Sequence, residues 1–149
     1  MFEMKYSEAR ADLATLFDGA LTHRPVRIVR RRDEPAILVS EQDLRALLTR
    51  YEFTPEVFFG QGAVEIWLPE LALWGRGASF AEAQDDLLDE IDRLLFVLEQ
   101  DALARQAPNI VARLPWIYRL SSARDDAERV ALLFVEPAPD ADAAGSAAT

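Results

Sequence analysis

Residues 79–104 constrain the fold more than any other stretch of this chain. Ser79-Phe80-Ala81-Glu82 has the pattern of a capping box, in which a serine oxygen and a glutamate carboxylate satisfy the free backbone donors at a helix start. Behind it Ala83, Leu87, Ile91, Leu94, Leu95, Leu98 and Ala102 fall on one stripe, so the spacing predicts an amphipathic helix to about residue 104. The preceding residues supply strands. Residues 51–59 alternate through Tyr51, Phe53, Pro55, Val57 and Phe59, and Gly60-Gln61-Gly62 is a turn. Val64, Ile66 and Leu68 then alternate with Ala63, Glu65 and Trp67 until Pro69, and residues 71–75 offer a third short strand. The order is β-β-β-α.

A smaller pattern occupies residues 1–50. After a short strand at 2–6, Ala9, Leu13, Leu16, Phe17, Ala20 and Leu21 recur at helical spacing, predicting one helix over 7–21 with Ser7 as its N-cap. Pro25 blocks its continuation. Residues 26–30 and 36–39 read as the arms of a β-hairpin, and Ser40 caps a short helix through Leu44, Leu47 and Leu48. This β-α-β-β-α unit of about 50 residues buries too little surface to be comfortable alone, and dimerisation is the expected remedy. Beyond residue 107, Ile110, Val111, Leu114, Ile117 and Tyr118 suggest a helix kinked at Pro115, and residues 130–135 read as a strand. Residues 137–149 are rich in Ala, Asp and Pro without a large apolar side chain, and read as a disordered tail. The expected fold class is α+β, divided into 1–50, 51–107, an extension over 108–136, and the tail.

Composition narrows the chemistry. The 149 residues contain no cysteine and one histidine, His23, which leaves no thiol nucleophile, disulfide framework, multi-histidine metal site or histidine-based triad. No apolar run approaches the roughly 20 residues of a membrane span, and the first residues lack a secretory pattern. A cytoplasmic protein without metal or cofactor, and not an enzyme, is expected. The net charge of -10 is unevenly placed: nine Lys/Arg face eight Asp/Glu in residues 1–50, but three face twelve in residues 51–107.

Two charge clusters stand out. Arg30, Arg31 and Arg32 form a hairpin tip, with Arg27 on the same strand, and Arg10 falls in the expected first helical turn, where a cation opposes the helix dipole unless a phosphate is near. Arginine forks match phosphate oxygens and guanine edges. The plain alternative is a solvated turn partly neutralised by Asp33 and Glu34. Downstream, Asp85, Asp89 and Asp92 share a helical face at i, i+4, i+7. They suit a solvated surface, an acidic face attracting a basic partner, or, least well, a metal-dependent hydrolase, since no proton shuttle accompanies them. Trp116 and Tyr118 could anchor a partner, although a core role suits both better.

The strings Tyr6-Ser7-Glu8-Ala9-Arg10, Leu13, Pro25-Val26-Arg27-Ile28-Val29-Arg30, Ala36-Ile37-Leu38-Val39-Ser40 and Asp43-Leu44 resemble the prevent-host-death (Phd/YefM) antitoxin family. That resemblance implies a dimerising module that binds operator DNA, with Ser7, Arg10 and Arg30 as contacts; Arg31 and Arg32 extend the tip beyond the family pattern. Val64-Glu65-Ile66-Trp67-Leu68-Pro69-Glu70-Leu71 and Gly77-Ala78-Ser79-Phe80-Ala81-Glu82-Ala83 resemble a HicB-like antitoxin domain, which implies toxin masking. Together they imply a fused antitoxin that neutralises a cognate toxin and autorepresses its operon, as a homodimer or higher oligomer, without membrane association. Asp85, Asp89, Asp92, Trp116 and Tyr118 are its candidate toxin contacts. The alternative is a dimeric interaction module that does not bind DNA.

Overall fold

A computed structural model describes residues 1–31 and 34–134. The chain is α+β, with two three-stranded sheets and eight helices among the described residues. It divides into two compact units, Met1–Arg50 and Tyr51–Thr149.

In the first unit, β1 (Phe2–Lys5) runs into α1 (Tyr6–Ala11) and α2 (Leu13–Leu21), followed by β2 (Val26–Arg30), β3 (Glu34–Leu38) and α3 (Glu41–Leu48). β2 is central, parallel to β1 and antiparallel to β3. The expected single helix over 7–21 is two helices. Asp12, at φ -133° and ψ 47°, leaves the helical path between them. Nor does Ser7 cap the first. Because β1 leads straight into the helix, Lys5 holds the cap position and its N–H donates to the Glu8 carboxylate at 3.2 Å. The break sets Ala9 and Leu16 into a small core with Val26, packed by Met4, Ile28 and Leu38. It leaves Leu13, Phe17 and Leu21 of α2 59%, 56% and 56% exposed, against the expectation that they share the buried stripe. Ser40 caps α3, its hydroxyl accepting from the Asp43 N–H at 3.1 Å.

The second unit begins with the meander β4 (Glu56–Gly60), β5 (Ala63–Leu68) and β6 (Leu73–Gly77). Positive φ at Gln61 and Gly62 gives the tight β4–β5 turn the twist antiparallel strands need. α4 (Phe80–Gln100) lies across one sheet face, burying Ala83, Leu87 and Ile91 against Ile66 and Leu68. Gly75 and Gly77 allow that approach: a Cβ on Gly75 would stand 2.2 Å from the Ala83 carbonyl oxygen. Ser79 caps α4 at 3.2 Å, but the Glu82 carboxylate accepts from Ala78 N–H rather than from Ser79.

Four short helices complete the unit: α5 (Ala102–Gln106), α6 (Pro108–Val111), α7 (Leu114–Ser121) and α8 (Asp126–Leu133). Ile117, Leu120 and Leu133 join the core under the sheet. The helix expected to reach residue 104 stops at Gln100, because Asp101 is extended and its carboxylate caps α5. Pro115 does not kink a helix; it sits in the first turn of α7, where a missing N–H costs nothing. Of the strand expected over 130–135, residues 130–133 form the end of helix α8, Phe134 is its C-cap, and residue 135 lies outside the described residues. Asp125 accepts from Glu128 N–H and Glu128 from Arg124 N–H, and this capped helix start outweighs the β-like look of the apolar run. Only residues 56–60 of the strand expected over 51–59 form one. Before it, the Tyr51 and Glu52 carbonyls accept from the Arg119 guanidinium at 2.5 Å and the Trp116 indole N–H at 2.8 Å, and Phe53 is buried. The third strand starts two residues later than expected.

Candidate functional site

Two surfaces gather the residues singled out above, one on each unit. On the first, the register pairs Lys5 with Val29, so the start of α1 and the β2–β3 turn share one end of the sheet. Ser7 stands at that end, with Arg10 one turn further along α1, and both are exposed. Arg30 shares its sheet face with Val26 and Ile28, the face that packs on Ala9 and Leu16, whereas Arg27 points to the opposite face beside Glu3. Arg30 Nε pairs with Glu34 at 3.2 Å, both side chains more than half exposed, so this surface pair is readily exchanged for a stronger anion. Arg31 adopts φ +56° and is exposed. Arg32 and Asp33 lie outside the described residues. Arg10 differs from expectation: it ends the short α1, where a cation complements the dipole instead of opposing it.

At the other end of this unit His23 Nδ1 lies 2.5 Å from an Asp43 carboxylate oxygen. Hydrogen bonding to Ser40 and then to His23 holds the Asp43 carboxyl below its ordinary range. This pair ties the α2–β2 loop to the start of α3.

On the second unit a groove of about 650 Å³ lies between the C-terminal half of α4 and α7 and α8. Asp92, Phe96, Tyr118, Arg105 and Arg129 line it. Arg129 is mostly buried; it donates to Asp92 at 2.5 Å and to Asp126 at 3.3 Å, while its Nε is buried without a partner. Arg105 donates to the Leu98 and Glu99 carbonyls, capping the end of α4. Phe96 and Tyr118 stand exposed on the walls. So Asp92 and Tyr118 meet in one place, and Tyr118 is not the core residue its size suggested.

The other candidates lie elsewhere. Trp116 is half-buried against the Tyr51 ring, edge to face at 5.1 Å, and is structural. Asp85 and Asp89 are exposed on α4. Asp86 is occupied by the Arg76 N–H at 2.8 Å, and Glu90 by Arg93. Among the described residues no three of His, Cys, Asp and Glu converge as a metal ion would require. Sequence reasoning passed over Phe96, Arg105 and Arg129. Phe96 was detectable as an aromatic residue off the stripe of Leu87, Ile91 and Leu98.

This architecture is shared with a solved protein. A crystal structure from Syntrophomonas wolfei subsp. wolfei, described as the antitoxin part of a toxin/antitoxin system, is similar at a TM-score of 0.77, covering 90% of this chain and 97% of that one. At 19% identity the likeness speaks for the fold. No curated protein sequence matches the chain. The family model PHD_like, described as an antitoxin of toxin-antitoxin, RelE / RelB, TA system, matches residues 1–135. The chain therefore belongs to this family of antitoxins.

Proposed function

We propose that this antitoxin divides its work between its units: the first dimerises and binds operator DNA as an autorepressor, and the second neutralises the cognate toxin by protein contact, without catalysis. The reading takes the first unit as Phd/YefM-like and the second as HicB-like. The observation that carries it is the common sheet end shared by Ser7, Arg30 and Arg31, with Arg10 one turn along α1. In a symmetric dimer two such ends present paired cationic patches at a fixed spacing, as half-site recognition requires. The exposed Leu13, Phe17 and Leu21 supply an apolar stripe for the dimer, because α2 is apolar on both sides. For the toxin, the reading uses the exposed Asp85 and Asp89 and the groove that holds Asp92 and Tyr118.

The test is binding of the purified full-length protein to its own upstream DNA across a salt series, against a variant with alanine at 30, 31 and 32. Sequence-selective binding that weakens with salt and is lost in the variant is expected. Binding no tighter than to random DNA would leave the first unit a dimerisation platform only. No helix among the described residues is long and apolar enough to cross a membrane.

A further inference from the structure

Among the described residues of the second unit, α4 covers one face of the sheet and no element covers the other. Val64, Ile66 and Leu68 point to α4, so the alternate positions point away: Glu56 and Phe58 on β4, Glu65 and Trp67 on β5, Trp74 and Arg76 on β6. On that outer face the aromatic rings have gathered. Trp67 and Trp74 are directly opposed, their centroids 4.8 Å apart, and Phe58 lies 6.0 Å from Trp74. Although they pack on one another, Phe58 stays 47% and Trp74 37% exposed. Such side chains are the kind that dominate binding energy when a partner covers them.

One of the chain's own cations already lies on this face. The Arg76 guanidinium carbon already sits 5.6 Å over the Trp74 ring, held from the other side by Glu65 at 3.0 Å. Glu56, across from Trp67, is exposed and has no ion-pair partner among the described residues. With three basic against twelve acidic side chains over residues 51–107, the surrounding field repels a second copy and a nucleic-acid strand alike and attracts a cation.

We propose that the outer face of the β4–β5–β6 sheet docks a basic, arginine-bearing protein surface, the toxin's, with its guanidinium groups stacked on Phe58, Trp67 and Trp74 and paired with Glu56. This rests on toxin neutralisation by the second unit, and moves its main contact from α4 to the sheet.

The test titrates purified cognate toxin into the full-length antitoxin by calorimetry. Three variants are compared: Phe58→Ala with Trp74→Ala; Glu56→Arg, which inverts a charge without touching the packing; and Asp85→Asn with Asp89→Asn. The first two are expected to weaken binding at least tenfold, the third by less than threefold. In parallel, nona-arginine is expected to change the tryptophan emission of the wild-type protein more strongly than nona-lysine, and dodecathymidine not at all. If the α4 variant loses binding while the two sheet variants keep it, the sheet proposal is overturned and neutralisation by the second unit stands. If the wild type does not bind toxin, both fall. An emission change with dodecathymidine alone would make the face a base-stacking platform and overturn the proposal as well.

Discussion

Replacing Gly75 by alanine tests whether α4 rests directly on the β6 backbone. A Cβ at this position would lie 2.2 Å from the Ala83 carbonyl oxygen, 2.6 Å from Leu87 Cβ and 2.8 Å from Leu87 N. Two of these are backbone atoms inside a 21-residue helix, so no side chain can swing aside; α4 must retreat by more than an ångström. That retreat would open the packing of Ala83, Leu87 and Ile91 on Ile66, which is fully buried now. Overpacking usually costs about 1–3 kcal/mol, and a clash with backbone belongs at or above the upper end. For a unit of this size about 3 kcal/mol corresponds to a fall in Tm of about 12–24 °C. Trp67, Trp74 and Trp116 all belong to the second unit, so tryptophan fluorescence follows its unfolding alone. Gly60→Ala is the control, because nothing lies within 4 Å of a Cβ there. If the Gly75 and Gly60 variants melted within about 0.5 kcal/mol of each other, the close approach would be wrong.

Ser79→Ala should cost the second unit about 1 kcal/mol by removing the α4 cap, read in the same fluorescence assay. Leu120→Ala, at a fully buried position, should cost about 2–5 kcal/mol there and leave the first unit's stability unchanged. Asp43 has a folded-state pKa below its ordinary value, so its contribution is present above the unfolded pKa and is lost as pH falls through the folded one. Asp43→Asn should therefore flatten the loss of first-unit stability below about pH 4, followed through the imidazole resonances of the single histidine, His23. Phe17→Asp places a charge in the exposed α2 stripe without entering the core; light scattering should show a smaller assembly, with the folded first unit preserved.

Local signals carried most of the fold. Ser79 and Ser40 each precede an apolar helical stripe, and both cap the helices they announce. The alternation at Val64, Ile66 and Leu68 named a strand and its buried face together. Where two local signals compete, the capped helix start prevails over apolar composition. Val130 and its apolar neighbours look β-like, but the helix start capped by Asp125, with Glu128 holding the Arg124 N–H, makes residues 130–133 helical. Asp12 gives no sequence cue that the helix will break there, and the break decides which of Leu13, Leu16 and Phe17 is buried. The groove was illegible for another reason. It joins Asp92 to Arg129 across 37 positions, and nothing in either residue's neighbourhood anticipates the other. The sheet's outer face depended on register: Trp67 and Trp74 become partners only once β5 and β6 are aligned.

Among the described residues, the α2 stripe of the first unit and the outer sheet face of the second are both apolar and exposed, and the charge of each unit bears on what can cover them. The first unit is near neutral, with nine basic and eight acidic side chains, so two copies can bring the α2 stripes together without electrostatic opposition. The stripe is aliphatic apart from Phe17 and carries no fixed charge of its own, which suits burial against an identical surface. The second unit differs in both respects. Its open face is aromatic, bordered by Glu56 and Glu65, and set in an acidic field, so self-pairing meets repulsion where a cationic partner meets attraction. Apolar burial alone would not distinguish the two surfaces, since each offers about three large side chains. The charge asymmetry does: on the reading proposed above, it favours a second copy of the chain on one surface and a foreign, basic protein on the other.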